Sequence, residues 1–272
     1  MANVNNMVPN NRFELLKNEI LDYETAKNSI LTGVEDYERI MYRKKRILEY
    51  LNADEKDYQD YRWQMKNRFT GAKGLAELIQ LPDEEICHVN KVAEKYRFAV
   101  SPYYLSLIDP ENHDCPIRKQ SIPSAAELND QGELDPMDEK GHAIQEIITR
   151  RYPDRLIIKV TNVCGMFCRF CQRRRMIGEF DKVVPRQKIQ KAIDYIAENK
   201  ELRDVLITGG DAFMVSDEML GWMLGELRKI KHVEIIRLGT RTPVTLPQRV
   251  TKELVNILKK YHPIFVNTQF NH

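Results

Sequence analysis

The sequence predicts an α/β fold, with a helical N-terminal lobe followed by an array of parallel strands joined by crossover helices. Three observations lead there. Residues 1–101 hold glycine only at Gly33, Gly71 and Gly74 and repeat apolar residues at helical spacing. Residues 102–149 contain Pro110, Pro116, Pro123 and Pro136 among few apolar residues, the composition of an irregular connecting segment. From residue 150 onward, short β-rich runs alternate with amphipathic helical segments, as βα units do.

In the lobe, helical periodicity runs through residues 13–30 and 40–51. The basic run Arg43, Lys44, Lys45, Arg46 falls inside the second pattern and reads as a solvated helix face. In the βα region, residues 156–161 form a buried-strand run, and further strands are predicted at 204–208, 233–238 and 264–266. Three helices lie between or after them. Residues 185–200 place Ile189, Ala192, Ile193 and Ile196 on one face; residues 217–231 place Leu220, Met223, Leu224 and Leu227; residues 247–261 place Val250, Leu254, Ile257 and Leu258. Pro185 and Pro247 suit first-turn positions, and Ser216 suits an N-cap. Four parallel strands are too few to close a barrel. The sheet is therefore open, is covered by a partner along its edge, or is the front of a longer protein.

Lys and Arg number 42 against 40 Asp and Glu, so a net charge of +2 gives no electrostatic reason to expect nucleic acid. A mean hydropathy of −0.52 and the lack of an apolar run of about 18 residues speak against a membrane span. The first residues also lack the apolar core of a secretion signal, and a soluble cytoplasmic protein is expected. Five cysteines, three of them within eight positions, do not make the disulfide framework of a secreted domain. Cys87 and Cys115 stand apart and read as packing residues.

Cys164, Cys168 and Cys171 follow directly on the 156–161 strand, at the C-terminal end where α/β proteins build their sites. Spacers of three and then two residues let three thiolates converge on one iron–sulfur cluster and leave one iron open. The alternative is a zinc-binding interaction module using Arg173, Arg174 and Arg175. Zinc takes four protein ligands from paired positions, and no second Cys or Cys/His pair is present. A third possibility is a non-catalytic assembly subunit that pairs its open sheet edge. Thr208-Gly209-Gly210-Asp211 ends the second predicted strand about forty residues after the cysteines. Its glycines permit close backbone approach, and its carboxylate can pair an ammonium group.

These residues resemble the radical S-adenosylmethionine (SAM) superfamily: CxxxCxxC after the first strand of a βα array, then a Gly-Gly-acid turn at the end of the next. Four further segments resemble the amino acid 2,3-aminomutases within it. They are 150–155 (RRYPDR), 171–175 (CQRRR), 239–244 (GTRTPV) and 267–272 (NTQFNH). The resemblance implies a partial radical-SAM barrel that stops before closing, and it starts at least as early as residue 114. It implies a [4Fe–4S] cluster on Cys164, Cys168 and Cys171, and S-adenosylmethionine held by Phe170, Thr208, Gly209, Gly210, Asp211, Thr240, Arg241 and Gln269. It also implies pyridoxal 5′-phosphate, with its phosphate on Arg151 and Arg155 and the substrate carboxylate on Arg173, while Arg174 and Arg175 are structural.

In that family an electron from the reduced cluster cleaves S-adenosylmethionine, and the resulting 5′-deoxyadenosyl radical removes a hydrogen from the substrate β-carbon. The amino group then moves from C2 to C3. The implied partners are an amino acid, an electron donor of flavodoxin or ferredoxin type, and further copies of the chain. Lysine 2,3-aminomutases carry His where this chain has Phe170 and Gln269, so the sequence is more similar to glutamate 2,3-aminomutases; the alternative within the family is a lysine 2,3-aminomutase acting on free or protein lysine. The glycine-rich segment bearing the pyridoxal phosphate lysine has no counterpart in these 272 residues, so no lysine is assigned that role; the chain is expected to be a truncated aminomutase that does not turn over alone, the alternative being a shortened relative that keeps cluster chemistry without the mutase.

Overall fold

The computed structural model describes residues 7–27, 30–129 and 132–272, with side chains from residue 11. It falls into two compact units, residues 1–42 and 43–272. In the first, the pattern predicted for 13–30 forms two helices, α1 (Met7–Glu19) and α2 (Leu21–Ala26), and residues 28 and 29 lie outside the described residues. Helix α3 (Tyr37–Leu51) spans the boundary.

The second unit begins with short helices: α4 (Glu55–Gln59), α5 (Tyr61–Lys66), α6 (Leu75–Leu78), α7 (Asp83–Lys95), α8 (Pro102–Ser106) and α9 (Pro116–Ser121). Local chemistry sets their starts. Asp54 and Asp57 form a reciprocal capping box at α4, Asp60 caps α5, and the side chain of Ser101 accepts from Tyr104 N at α8. Three acidic residues, Asp83, Glu84 and Glu85, occupy the first turn of α7, where the helix dipole favours them. Ile47, Leu75, Ile79, Val89, Phe98, Leu105 and Ile108 make one core of this unit, and Met166 from the cysteine loop packs into it.

The basic run is not a solvated face. Arg43 is buried with Nε on Ser106 O at 2.8 Å, Lys44 pairs with Glu55 and lies over the Tyr58 ring, and Arg46 donates to Glu77 O. Lys45 alone of the four is mostly exposed, at 74% of its side chain. Helical periodicity had placed the run on a helix but could not show what crosses it.

The sheet has six strands in sequential order: β1 (Ala143–Gln145), β2 (Ile148–Thr149), β3 (Arg155–Thr161), β4 (Asp204–Gly209), β5 (Ile235–Gly239) and β6 (Ile264–Asn267). The last four are parallel, as predicted. The first two form an antiparallel hairpin on β3, in a segment expected to be irregular. Two strands of three and two residues are too short to leave a periodic signal. The sheet is open.

Helices α10 (Arg186–Glu198) and α11 (Asp217–Lys229) cross over between the parallel strands, followed by α12 (Thr242–Thr245) and α13 (Lys252–Lys260). Ser216 caps α11 through Met219 N, as predicted. The helix predicted for 247–261 is shorter: Pro247–Arg249 is a 3₁₀ turn, and Thr251 caps α13 by accepting from Leu254 N. Val250 therefore lies outside the helix and is exposed. The second core lies between sheet and helices. Leu156, Ile158, Val160, Val205, Ile207, Ile236 and Leu238 pack on the predicted faces of α10 and α11 and on Leu254. Alternation sends the other strand residues to the opposite face, among them Ile157, Thr161, Leu206, Thr208 and Gly239, and that face carries the site.

Candidate functional site

The site is a cavity of about 680 Å³ at the C-terminal ends of β3 to β6. Cys164, Cys168, Cys171, Phe170, Arg173, Thr208, Gly209, Gly210, Asp211, Thr240, Arg241 and Gln269 all line it. Residues predicted from segments more than a hundred positions apart thus meet at one place.

The cysteine loop is held at its root and from behind. Asn162 donates to Ile177 O and Phe180 O and accepts from Lys182 N, so the outgoing and returning chain are stapled together. The helical segments supply the rest. Arg68 Nη1 donates to Cys164 O at 2.7 Å, Phe167 N to Ala99 O at 3.0 Å, and Arg169 N to Gln120 O at 2.9 Å. The Arg169 guanidinium is bidentate on Glu127, and Ser101 Oγ donates to Thr245 O on the far side of the loop. With the loop's main chain held from behind, the three thiols and Phe170 line the cavity.

Burial pushes the Cys164 thiol well up, helped by Asp211 and the neighbouring sulfurs, and burial likewise raises Cys171. Such thiols become ligands when a metal's charge favours the thiolate. Among the described residues no three His, Cys, Asp or Glu side chains are grouped to hold a single metal ion. Three thiols from one short loop, all lining the cavity, are a donor set that fits an iron–sulfur cluster with one iron left open. Of the remaining cysteines, Cys115 is buried in the core of short helices, but Cys87 is exposed rather than packed.

The Gly-Gly-Asp turn has a structural cause as well as a functional one. Gly209 sits at φ +132°, and a Cβ there would lie 2.3 Å from Thr161 O; one on Gly210 would lie 2.5 Å from Val163 O. The two glycines let the end of β4 press against the root of the cysteine loop, where Gly210 N and Asp211 N donate to Thr161 O and Val163 O. Asp211 lines the cavity and is also tied into the loops around it. Its buried carboxylate accepts from Phe213 N and Thr240 Oγ1 on one oxygen, and from Arg241 N at 2.7 Å and Thr242 N at 2.9 Å on the other. Four donors fill its lone pairs, so Asp211 ties the β4 loop to the β5 loop. Burial raises its carboxyl against the lowering effect of those bonds.

Arg241 is 8% exposed and lies over the Phe170 ring at 5.4 Å; Nη1 donates to Cys168 Sγ at 3.0 Å, and the buried Nε has no hydrogen-bond partner among the described residues. Arg173 gives its Nε and Nη2 edge to the buried Glu139, at 2.9 and 2.7 Å. Burial pushes Glu139 up, but Arg173, Lys159 and Arg175 outweigh it and hold the carboxyl below its usual range. Arg174 turns to Glu127 and the Tyr96 ring, Arg175 to Asp135 and Glu139.

Arg151 and Arg155 do not line the cavity. Arg151 is exposed and touches Met137 Sδ; Arg155 pairs with Asp154 and stacks on Tyr152. Arg155 opens β3 about 20 Å of strand from Thr161, but on the same face, two residues below the cavity-lining Ile157. Missing from the sequence reading are Arg68, Ser101, Tyr104, Gln120, Glu127 and Glu139, all from the lobe and the connecting segment. No spacing links them to the cysteines.

Residues 158–272 match the radical SAM superfamily. The chain is 52% identical over 258 residues to a glutamate 2,3-aminomutase of Clostridioides difficile, a match covering 94% of this chain and 61% of that protein. It is 48% identical over 225 residues to an L-lysine 2,3-aminomutase of Clostridium subterminale, covering 82% and 54%. It is 42% identical over 229 residues to an L-lysine 2,3-aminomutase of Bacillus subtilis, covering 84% and 49%. The chain thus spans between about half and three fifths of the length of these curated relatives. Among the described residues, no helix is long and apolar enough to cross a membrane.

Proposed function

Because the chain belongs to the radical SAM superfamily and its relatives are amino acid 2,3-aminomutases, we propose that it is a 2,3-aminomutase that converts L-glutamate to β-glutamate. One observation carries this: Cys164, Cys168 and Cys171 line the same cavity as Gly209, Gly210, Thr240 and Arg241. Three thiols without a fourth protein ligand suit a [4Fe–4S] cluster with an open iron. When bound, such a cluster supplies the electron that cleaves S-adenosylmethionine to methionine and a 5′-deoxyadenosyl radical.

The chain's own residues position and shield. Gly209 and Gly210 offer bare backbone to the methionine end, and the orphaned Nε of Arg241 offers a buried donor to its carboxylate. Phe170, Thr208, Thr240 and Gln269 complete the walls toward the adenosyl group. Ile157, Met176, Ile177 and Leu206 make an apolar lining that keeps water from a reactive radical. Arg173 holds the substrate α-carboxylate on the guanidinium edge that Glu139 leaves open. Asp211 acts through the β5 loop.

The resemblance also implies pyridoxal phosphate, with Arg155 and Arg151 as phosphate ligands. Among the described residues lining the cavity there is no lysine, so the chain supplies no amine there to carry it. Phe170 and Gln269 favour glutamate over lysine, and the 52% identity to a glutamate enzyme supports that choice. The reductant in this proposal is a flavodoxin or ferredoxin, and the setting is a cytoplasmic homo-oligomer.

The test is iron and sulfide analysis with low-temperature electron paramagnetic resonance on anaerobically reconstituted, reduced protein. About four irons per chain, with a signal that changes on adding S-adenosylmethionine, is the expected result. Stoichiometric zinc in place of iron would overturn the proposal. Formation of β-lysine from L-lysine, with no product from L-glutamate, would reassign the substrate.

A further inference from the structure

We infer that Arg241 raises the reduction potential of the cluster through its contact with Cys168, and that Tyr104 and Gln120 hold it there. The inference rests on the proposed cluster ligation. Arg241 stands apart from the other arginines around the cysteine loop in having no counter-charge. Arg68 and Arg97 share Asp181, Arg169 and Arg174 share Glu127, Arg173 pairs with Glu139, and Arg175 with Asp135. Among the described residues no carboxylate takes the Arg241 guanidinium, because Asp211 accepts its main-chain N–H instead.

The guanidinium's partners are neutral or sulfur. Nη1 reaches Cys168 Sγ at 3.0 Å, while Nη2 donates to Gln120 Oε1 and faces Tyr104 OH at 3.4 Å. An uncompensated cation in a buried position acts at low effective dielectric. Reduction adds one negative charge to a cluster whose sulfur receives that N–H, and hydrogen bonds to cluster sulfurs are an established control on potential. One electron enters, no bond breaks and no proton leaves, so the cation favours the reduced state directly. Tyr104 begins 137 residues before Arg241 and Gln120 lies 121 before it, so the segment between lobe and sheet would set a property of the cluster.

The experiment is a redox titration of the reconstituted 272-residue chain, without S-adenosylmethionine, comparing wild type with Arg241→Gln, Arg241→Lys and the double variant Tyr104→Phe/Gln120→Leu. A residue that only binds S-adenosylmethionine would leave these potentials unmoved. Arg241→Gln is expected to lower the reduced-to-oxidised ratio at fixed potential about tenfold, a shift of about 59 mV for a one-electron couple. Arg241→Lys should recover part of that shift, and the double variant, which keeps the charge but frees it, should lie between. Equal potentials in wild type and Arg241→Gln would overturn the inference and leave the cluster intact. Should Arg241→Gln assemble no cluster, an unshifted double variant would overturn it in the same way. A wild-type chain that takes up zinc instead of iron would overturn the proposed function, and this inference with it.

Discussion

Replacing Gly209 with alanine tests how tightly the strand end is pressed against the cysteine loop. At φ +132° a side chain is strained by about 1–3 kcal/mol wherever it stands. The new methyl would also lie 2.3 Å from Thr161 O, about 1 Å inside ordinary contact, and that neighbour is backbone that cannot swing aside. Relief requires β4 to part from the loop root, where Gly210 N–Thr161 O and Asp211 N–Val163 O are made. Two such bonds are worth about 1–3 kcal/mol together. The expected loss is therefore about 2–6 kcal/mol, a large part of the roughly 5–15 kcal/mol that holds a typical protein folded. Urea denaturation followed by the fluorescence of Trp63 and Trp222 measures it. Gly178→Ala is the control, since Gly178 also has positive φ but its added Cβ would meet only Asn162 Nδ2 at an ordinary 3.6 Å. A Gly209→Ala loss no larger than that of Gly178→Ala would refute the close-approach argument.

Other perturbations address the charges and the caps. Glu139 is held below the ordinary carboxylate range, so its contribution is present above its unfolded pKa and lost as pH falls through the depressed native one; denaturation midpoints of Glu139→Gln should be flatter than wild type in that acidic window. Glu127→Gln removes the carboxylate charge that the buried Arg169 and the partly buried Arg174 share, and should cost about 3–5 kcal/mol, read from the same urea curves. Thr251→Ala removes the α13 cap and should cost about 1 kcal/mol. Its effect should be confined to stability, with iron content unchanged.

The parallel strands and their helices were legible because each carries its own period: Ile189, Ala192, Ile193 and Ile196 announce α10, and 156–161 announces β3. The cysteines were legible because three ligands sit within one loop. What surrounds them was not, because Arg68, Gln120 and Glu127 meet the loop only through the tertiary fold. Asp211 shows the opposite difficulty. Its position in the chain marked it as important, yet its four local donors, from Phe213, Thr240, Arg241 and Thr242, come from loops that no sequence period places beside it. Val250 failed for a local reason, since the apolar period ran on through a Thr cap that started the helix later.

The clamps on the cysteine loop also bear on timing. Arg68 grips Cys164 across 96 positions and Gln120 grips Arg241 across 121, so the pocket is closed by contacts between distant parts of the chain. Contacts of that span carry the largest loop-closure cost and form late in folding. The three thiols are accordingly held in mutual register only once the residues around Arg68 and Ala99, α9 and the sheet have docked.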